Sequence, residues 1–250
     1  MPTIAENLTY WKRYDWKDRG REWTQGYGGM DNAWQHAILP RIGAFLPAGH
    51  ILELAPGYGA WTDYLRPLAK EMTLVDLTPN CIEHCKKRYG KKRMHYFVND
   101  GYSLSMIEKN SVDFVFSVHS LVHAEHDVMQ SYVRDLGSIM KPGAVGFIHH
   151  SNLGIYAGQM DDWKPGEDHW RGHDMTGEKF CEDCKAAGLV CIYQEIIPWG
   201  GKNDKFIDAY SLFAKPRPGQ ILTECIERNS EYWTHIWKRI AIAGHYGNPK

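Results

Sequence analysis

The run Ile51-Leu-Glu-Leu-Ala-Pro-Gly-Tyr-Gly59 constrains this chain more than any other stretch. An apolar strand carrying a carboxylate, Glu53, turns through two glycines, Gly57 and Gly59, into a helical pattern. Glycine has no Cβ, so such a turn lets backbone approach a ligand closely. A second apolar strand, Met72-Thr-Leu-Val75, ends at Asp76, seventeen residues after Gly59. A carboxylate at the tip of the neighbouring strand is placed to bind ribose hydroxyls. Two strand-end acids flanking a glycine turn predict an adenosine-type pocket.

A dinucleotide site needs a third glycine in G-x-G-x-x-G, and this sequence has Thr62 there. Glu53, four residues before Gly57, would repel a pyrophosphate and attract an ammonium group. S-adenosylmethionine carries an amino group and a sulfonium and has no phosphate, so it suits these residues better.

At this point the chain resembles the class I S-adenosylmethionine-dependent methyltransferases. Their first motif, acid-x-G-x-G-x-G, is matched by Glu53-Leu-Ala-Pro-Gly57-Tyr-Gly59, with Ala55 in place of the first glycine. Val112-Asp-Phe-Val-Phe-Ser117 resembles the fourth-strand motif, and Met140-Lys-Pro-Gly143 the loop before strand five. The resemblance covers roughly residues 31–214. It implies that Asp76 binds the ribose, that Leu77 lies beside the adenine, and that Asp100 of Asn99-Asp100-Gly101 binds the adenine amino group. The expected cofactor-binding set is Glu53, Ala55, Gly57, Gly59, Trp61, Asp76, Leu77, Asp100, Gly101 and Ser117.

The expected fold class is α/β: a Rossmann-like seven-stranded sheet, mostly parallel with an antiparallel last strand, and helices on both faces. Strands are predicted near 50–55, 72–76, 94–98, 112–118, 144–150, 189–196 and 206–214, and helices near 60–69, 79–89, 127–140 and 176–187. The segment Pro198–Asn203 is too short for a helical crossover, so the last two strands should form a hairpin. A helix should start at Asp31 and run to about Leu46.

With 250 residues and 43% apolar content, the chain has room for one domain with appendages. We expect an aromatic and basic N-terminal arm over 1–30, a methyltransferase domain over 31–215, and a C-terminal helical extension over 216–250. Trp233 and Trp237 should share a helix face that packs on the domain or on a homodimer partner. A formal charge of −1 provides no general attraction to nucleic acid. The absence of an apolar run of about 18 residues and of a signal-peptide pattern predicts no membrane span and a cytoplasmic protein. Cys181-x-x-Cys184 has no second pair, so reduced, mostly buried thiols are expected in place of a zinc site.

Ligands of a doubly wound sheet sit beyond the carboxyl ends of its strands. The residues leaving strand four, Ser117 to Glu125, include His119 and His123; those leaving strand five are His149-His150-Ser151-Asn152. One of these four histidines is the expected general base for an alcohol acceptor. A metal held by His149, His150, Asp161 or Glu125 would have too many nitrogen ligands for magnesium, so none is expected. Residues 151–175 lack strong periodicity and read as a substrate lid in which Trp163, Trp170 and Arg171 bind the acceptor; Arg19, Arg21 or Arg171 could hold a phosphate.

The pattern Trp34…Pro40-Arg-Ile…Leu46-Pro, with Gly146-Phe-Ile-His-His-Ser-Asn152, resembles bacterial methyltransferases of polysaccharide and glycoside tailoring. This implies O-methylation of a sugar, nucleotide-linked or within a glycan. Methylation of a small amine or phospho-amine, and a catalytically silent cofactor-binding protein, are the alternatives.

Overall fold

Apolar strands that are buried on both faces pair in parallel, and they do so here. The computed structural model describes residues 3–161, 163, 164, 166, 168–199 and 205–246. Eight strands form one sheet: β1 (Ala48–Leu54), β2 (Ala69–Asp76), β3 (Met94–Val98), β4 (Val112–Ser117), β5 (Met140–Ser151), β6 (Val190–Ile197), β7 (Asp208–Ala214) and β8 (Ile226–Arg228). Their order is β3-β2-β1-β4-β5-β7-β6-β8, so the chain reverses direction across the sheet between β1 and β4. Pairing is parallel from β3 to β5, and β7 runs antiparallel to both β5 and β6. The expected hairpin is present, although residues 200–204 of its loop lie outside the described residues.

The seven-stranded expectation requires correction. The eighth strand, β8, pairs in parallel with β6, using three exposed residues that show no apolar pattern. The C-terminal extension is therefore not wholly helical. Met140-Lys-Pro-Gly143 is also not a loop but the first residues of β5, beside a register irregularity between Val112 and Phe114.

The helices are α1 (Ile4–Arg13), α2 (Met30–Asn32), α3 (Leu39–Ile42), α4 (Thr62–Leu65), α5 (Pro79–Tyr89), α6 (His126–Ile139), α7 (Gly177–Ala186) and α8 (Tyr232–Tyr246). The helix expected over 31–46 is a rod of mixed geometry, with wider π turns over Ala33–Ile38 between α2 and α3. Pro40 explains this, because it has no N–H to offer His36 and its ring would crowd that carbonyl. The carbonyl of His36 accepts instead from Arg239 Nη1, at 3.3 Å. In the same rod, Arg41 grips Glu195 of β6 with two hydrogen bonds of 2.6 and 2.7 Å.

Adjacent strand residues point to opposite faces, so the core divides in two. One layer holds Ile51, Phe114, Phe116 and Phe147 beneath α2, α3 and α8; the other holds Leu52, Val115 and Ile148 beneath α6 and α7. Trp233 packs on Tyr27 and Tyr232 of its own chain, whereas Trp237 is 47% exposed. Among the described residues, no helix is long and apolar enough to cross a membrane.

Candidate active site

At the carboxyl ends of β1 and β2, the glycine turn opens on a cavity of about 790 Å³, counting its mouth. Leu54 lines it, together with Ala55, Gly57, Asp76, Leu77, Gly101, His119 and His123 from the expected set. Ala55 holds φ +53° at the position where the family motif has glycine, and its N–H donates to the carbonyl of Val75 at 2.7 Å. Asp76 is buried at the tip of β2. Its Oδ2 accepts from the N–H of Gly57 at 3.1 Å, and its Oδ1 from the N–H and hydroxyl of Thr78. Burial raises the Asp76 pKa, partly offset by these donors.

Among the described residues lining the cavity, Asp76 is the one carboxylate, and neither lysine nor arginine contributes. A cationic, phosphate-free nucleoside is electrostatically matched to such a lining. A side chain at Gly57 would meet Trp16 and one at Gly101 would meet Ile4, so both glycines let the N-terminal arm pack close to the backbone.

Other expected residues stand one layer back. Glu53 lies under the turn, where Oε2 accepts from the hydroxyl of Thr62 at 2.6 Å, and burial pushes its pKa up to about 8. Thr62 thus has a task at the position where a dinucleotide motif carries glycine. Gly59 packs against the Tyr89 hydroxyl, Trp61 against Phe116 and His119, and the Ser117 hydroxyl donates to the carbonyl of Leu54. The side chain of Asp100 is exposed, its Oδ1 accepting from the N–H groups of Tyr102 and Ser103, and it does not line the cavity.

The far wall comes from the N-terminal arm, where the sequence reading named only Arg19 and Arg21 as possible phosphate ligands. Ile4, Asn7 and Trp11 of α1, with Trp16 and Trp23, cover the cavity. Trp16 stacks on Tyr58 at 5.0 Å, and Trp11 packs on His123 at 5.3 Å. The Nδ2 of Asn7 donates to the carbonyl of His123 at 3.0 Å. The available signal was Thr3-x-x-Glu6, which forms a reciprocal capping box, followed by Ile4, Leu8 and Trp11 at helical spacing.

The four histidines separate. His119, half-buried and held at φ +64°, turns its ring toward Trp61, His149 and Trp199. Neither of its ring nitrogens has a hydrogen-bond partner among the described residues. Burial, followed by His149 and Arg171, holds its pKa well below the ordinary value, so the ring is neutral. In His123, Nδ1–H donates to the carbonyl of Trp170 at 2.8 Å, and burial pushes the pKa down to about 4.

His149 and His150 follow each other along β5 and face opposite sides of the sheet. His149 packs on Tyr210 and Trp199 near His119. His150 stacks on Phe180 at 4.5 Å and bonds to the Ser151 carbonyl and the Ser211 hydroxyl, so it is a satisfied core residue remote from the cavity. Among the described residues, no three metal-ligating side chains come together.

Of the lid residues, Trp170 reaches the arm, 5.7 Å from Trp11 and 5.2 Å from His123. Trp163 packs instead on Tyr156 and under Lys205, away from the cavity, and Asp162 lies outside the described residues. The arginines expected to hold a phosphate are already committed: Arg171 to Asp208, and Arg19 and Arg21 to Asp63.

Residues 51–143 match a family described as methyltransferase domain. No curated protein matches the sequence. Among solved structures, the fold is similar to that of a DhpI–SAM–HEP complex, at 22% identity and TM-score 0.58, over 85% of this chain and 97% of that one. It is also similar to an S-adenosylmethionine-dependent methyltransferase from Mesorhizobium loti, at 17% identity and TM-score 0.56, over 74% of this chain and 100% of that one. The PH0226 protein of Pyrococcus horikoshii OT3 is similar at 14% identity and TM-score 0.59, over 83% and 98% of the two chains. The matched methyltransferase domain holds the glycine turn and Asp76, and with a cavity lined by neither lysine nor arginine among the described residues it supports methyl transfer from S-adenosylmethionine.

Proposed function

We propose that the enzyme methylates a hydroxyl of an uncharged sugar-type acceptor, with His119 as the general base. When bound, S-adenosylmethionine supplies a methyl group made electrophilic by its sulfonium. The observation that supports this reading is His119 itself, a half-buried neutral imidazole whose two ring nitrogens are shielded from solvent and have no hydrogen-bond partner among the described residues. A buried polar group left unpaired costs free energy, so an acceptor that bonds to it is favoured. The hydroxyl grows more acidic as its oxygen attacks, and the imidazole takes that proton. Asp208, near His149, favours the imidazolium that results.

Indole faces of Trp11, Trp16 and Trp23 present flat apolar surfaces of the kind that stack on sugar rings. The committed arginines disfavour a phosphorylated acceptor, so a glycan or glycoside is preferred over a nucleotide-linked sugar. Free cysteines at Cys81, Cys85, Cys184 and Cys191, all buried, suit the reducing cytoplasm we assign to the enzyme.

The same indoles, in a cavity without positive side chains, would also hold a cationic amine by cation–π attraction. Methyl transfer to methyl glycosides against ethanolamine separates the two readings. His119→Asn keeps a residue that tolerates positive φ; it should lower kcat on a glycoside by about 10²–10⁴ while leaving donor affinity intact. Full turnover by this variant would remove His119 from proton transfer, and donor binding without turnover on either class would favour the silent cofactor-binding protein.

A further inference from the structure

Building on His119 as the proton acceptor, we propose that His149 is a positioning residue that presents His119 to the site, and that Arg171 of the lid sets His149 through Asp208. His119 occupies a left-handed backbone conformation, at φ +64°, that is costly for a non-glycine residue. Among the described residues, no hydrogen bond to its ring compensates for this. Its backbone N–H instead donates to Nδ1 of His149 at 3.3 Å.

This contact decides where His149 carries its proton. An Nδ1 that accepts from a backbone N–H is unprotonated, so the neutral ring bears hydrogen on Nε2. Nε2 lies 3.0 Å from Asp208 Oδ2, without the alignment of a directed hydrogen bond, so the carboxylate favours this tautomer by charge. Asp208 in turn receives two bonds of 2.8 Å from Nε and Nη2 of Arg171. Burial opposes its ionisation, but Arg171 and His149 outweigh burial and keep it a carboxylate.

The third donor of Arg171, Nη1, reaches the carbonyl of His169, and its guanidinium lies over Trp199, whose ring touches both His119 and His149. An ion pair serving stability alone would require only Arg171 and Asp208. Here an imidazole is inserted between that pair and the backbone of the proposed base. Ordering of 168–173 in the lid is thereby coupled to the orientation of His119 through contiguous contacts.

The test uses the full chain with isotopically labelled histidine, saturated with S-adenosylhomocysteine, so that no acceptor is needed. In the unaltered protein, nitrogen NMR should show His149 as one neutral tautomer protonated on Nε2. Protonation on Nδ1 would overturn the proposal. His149→Phe should speed hydrogen exchange of the His119 amide about tenfold, the loss of one hydrogen bond. His149→Asn, whose Oδ1 takes the place of Nδ1, should retain most of the protection. Equal protection in both variants would overturn the proposal, and if His149→Phe does not fold, the tautomer and His149→Asn decide. Full turnover by His119→Asn would remove the base while leaving these results unchanged, so the two readings fail separately.

Discussion

A methyl group added at Gly57 would lie 2.7 Å from the indole of Trp16, so the glycine turn and the N-terminal arm are fitted to each other. The turn at φ +56° and the ring stacked over it form one wall of the donor cavity. Gly57→Ala therefore combines left-handed strain of roughly 1–2 kcal/mol with displacement of Trp16. We expect calorimetry to show donor affinity at least about tenfold weaker, with part of it restored by adding Trp16→Ala. Full affinity in Gly57→Ala would contradict this fit.

Asp76 already accepts from Gly57 and Thr78, and bound ribose would add to a carboxylate that is pre-oriented. Asp76→Ala should weaken donor binding by roughly 1–3 kcal/mol, the range for hydrogen bonds to a charged group. Unchanged affinity in a folded variant would displace the ribose from this strand end.

Helix α1 covers the cavity yet contains no buried residue. Removing residues 1–13 should leave the melting temperature nearly unchanged, because little apolar surface is lost from the core. Donor release, followed by stopped-flow tryptophan fluorescence, should accelerate about tenfold or more, since the wall formed by Ile4, Asn7 and Trp11 is gone. An unaltered release rate would show that the arm does not retain the donor.

Glu53 provides the pH dependence. Its carboxyl is raised by burial from a reference value of 4.5 to about 8, so between these values the folded protein holds a proton that the unfolded chain releases. The sign is that donor-free stability falls as pH rises through this window and levels off above it. Thermal melts of Glu53→Gln should lack this component, leaving a flatter profile than the unaltered protein between pH 5 and about 8. Parallel profiles would mean that Glu53 is ionised in the folded state.

Much of the sheet was legible because parallel strands buried on both faces read as apolar runs bounded by turns, as in Ile51–Leu54 and Met72–Val75. Strand β8 was not legible. Ile226–Arg228 is exposed, and it becomes a strand because the edge of β6 offers it partners. The wider turns that precede Pro40 in the helical rod were a local matter, traceable to proline chemistry.

For the site, the separation of His149 from His150 followed from strand periodicity, since neighbours along a strand face opposite ways. Trp163 and Arg171 looked equally suited to an acceptor. Only the partners supplied by Tyr156 and Asp208 assigned one to the outer lid and the other to a buried ion pair.

The sequence by itself determined the glycine turn, its strand-end acids and the mostly parallel character of the sheet, because each rests on local backbone geometry or on the pattern of apolar residues along a strand. The tertiary structure alone decided that residues before position 30 wall the cavity, and that the ring nitrogens of His119 find no hydrogen-bond partner among the described residues. Those outcomes depend on contacts between residues more than a hundred positions apart, such as Asn7 with His123, and no local pattern records them.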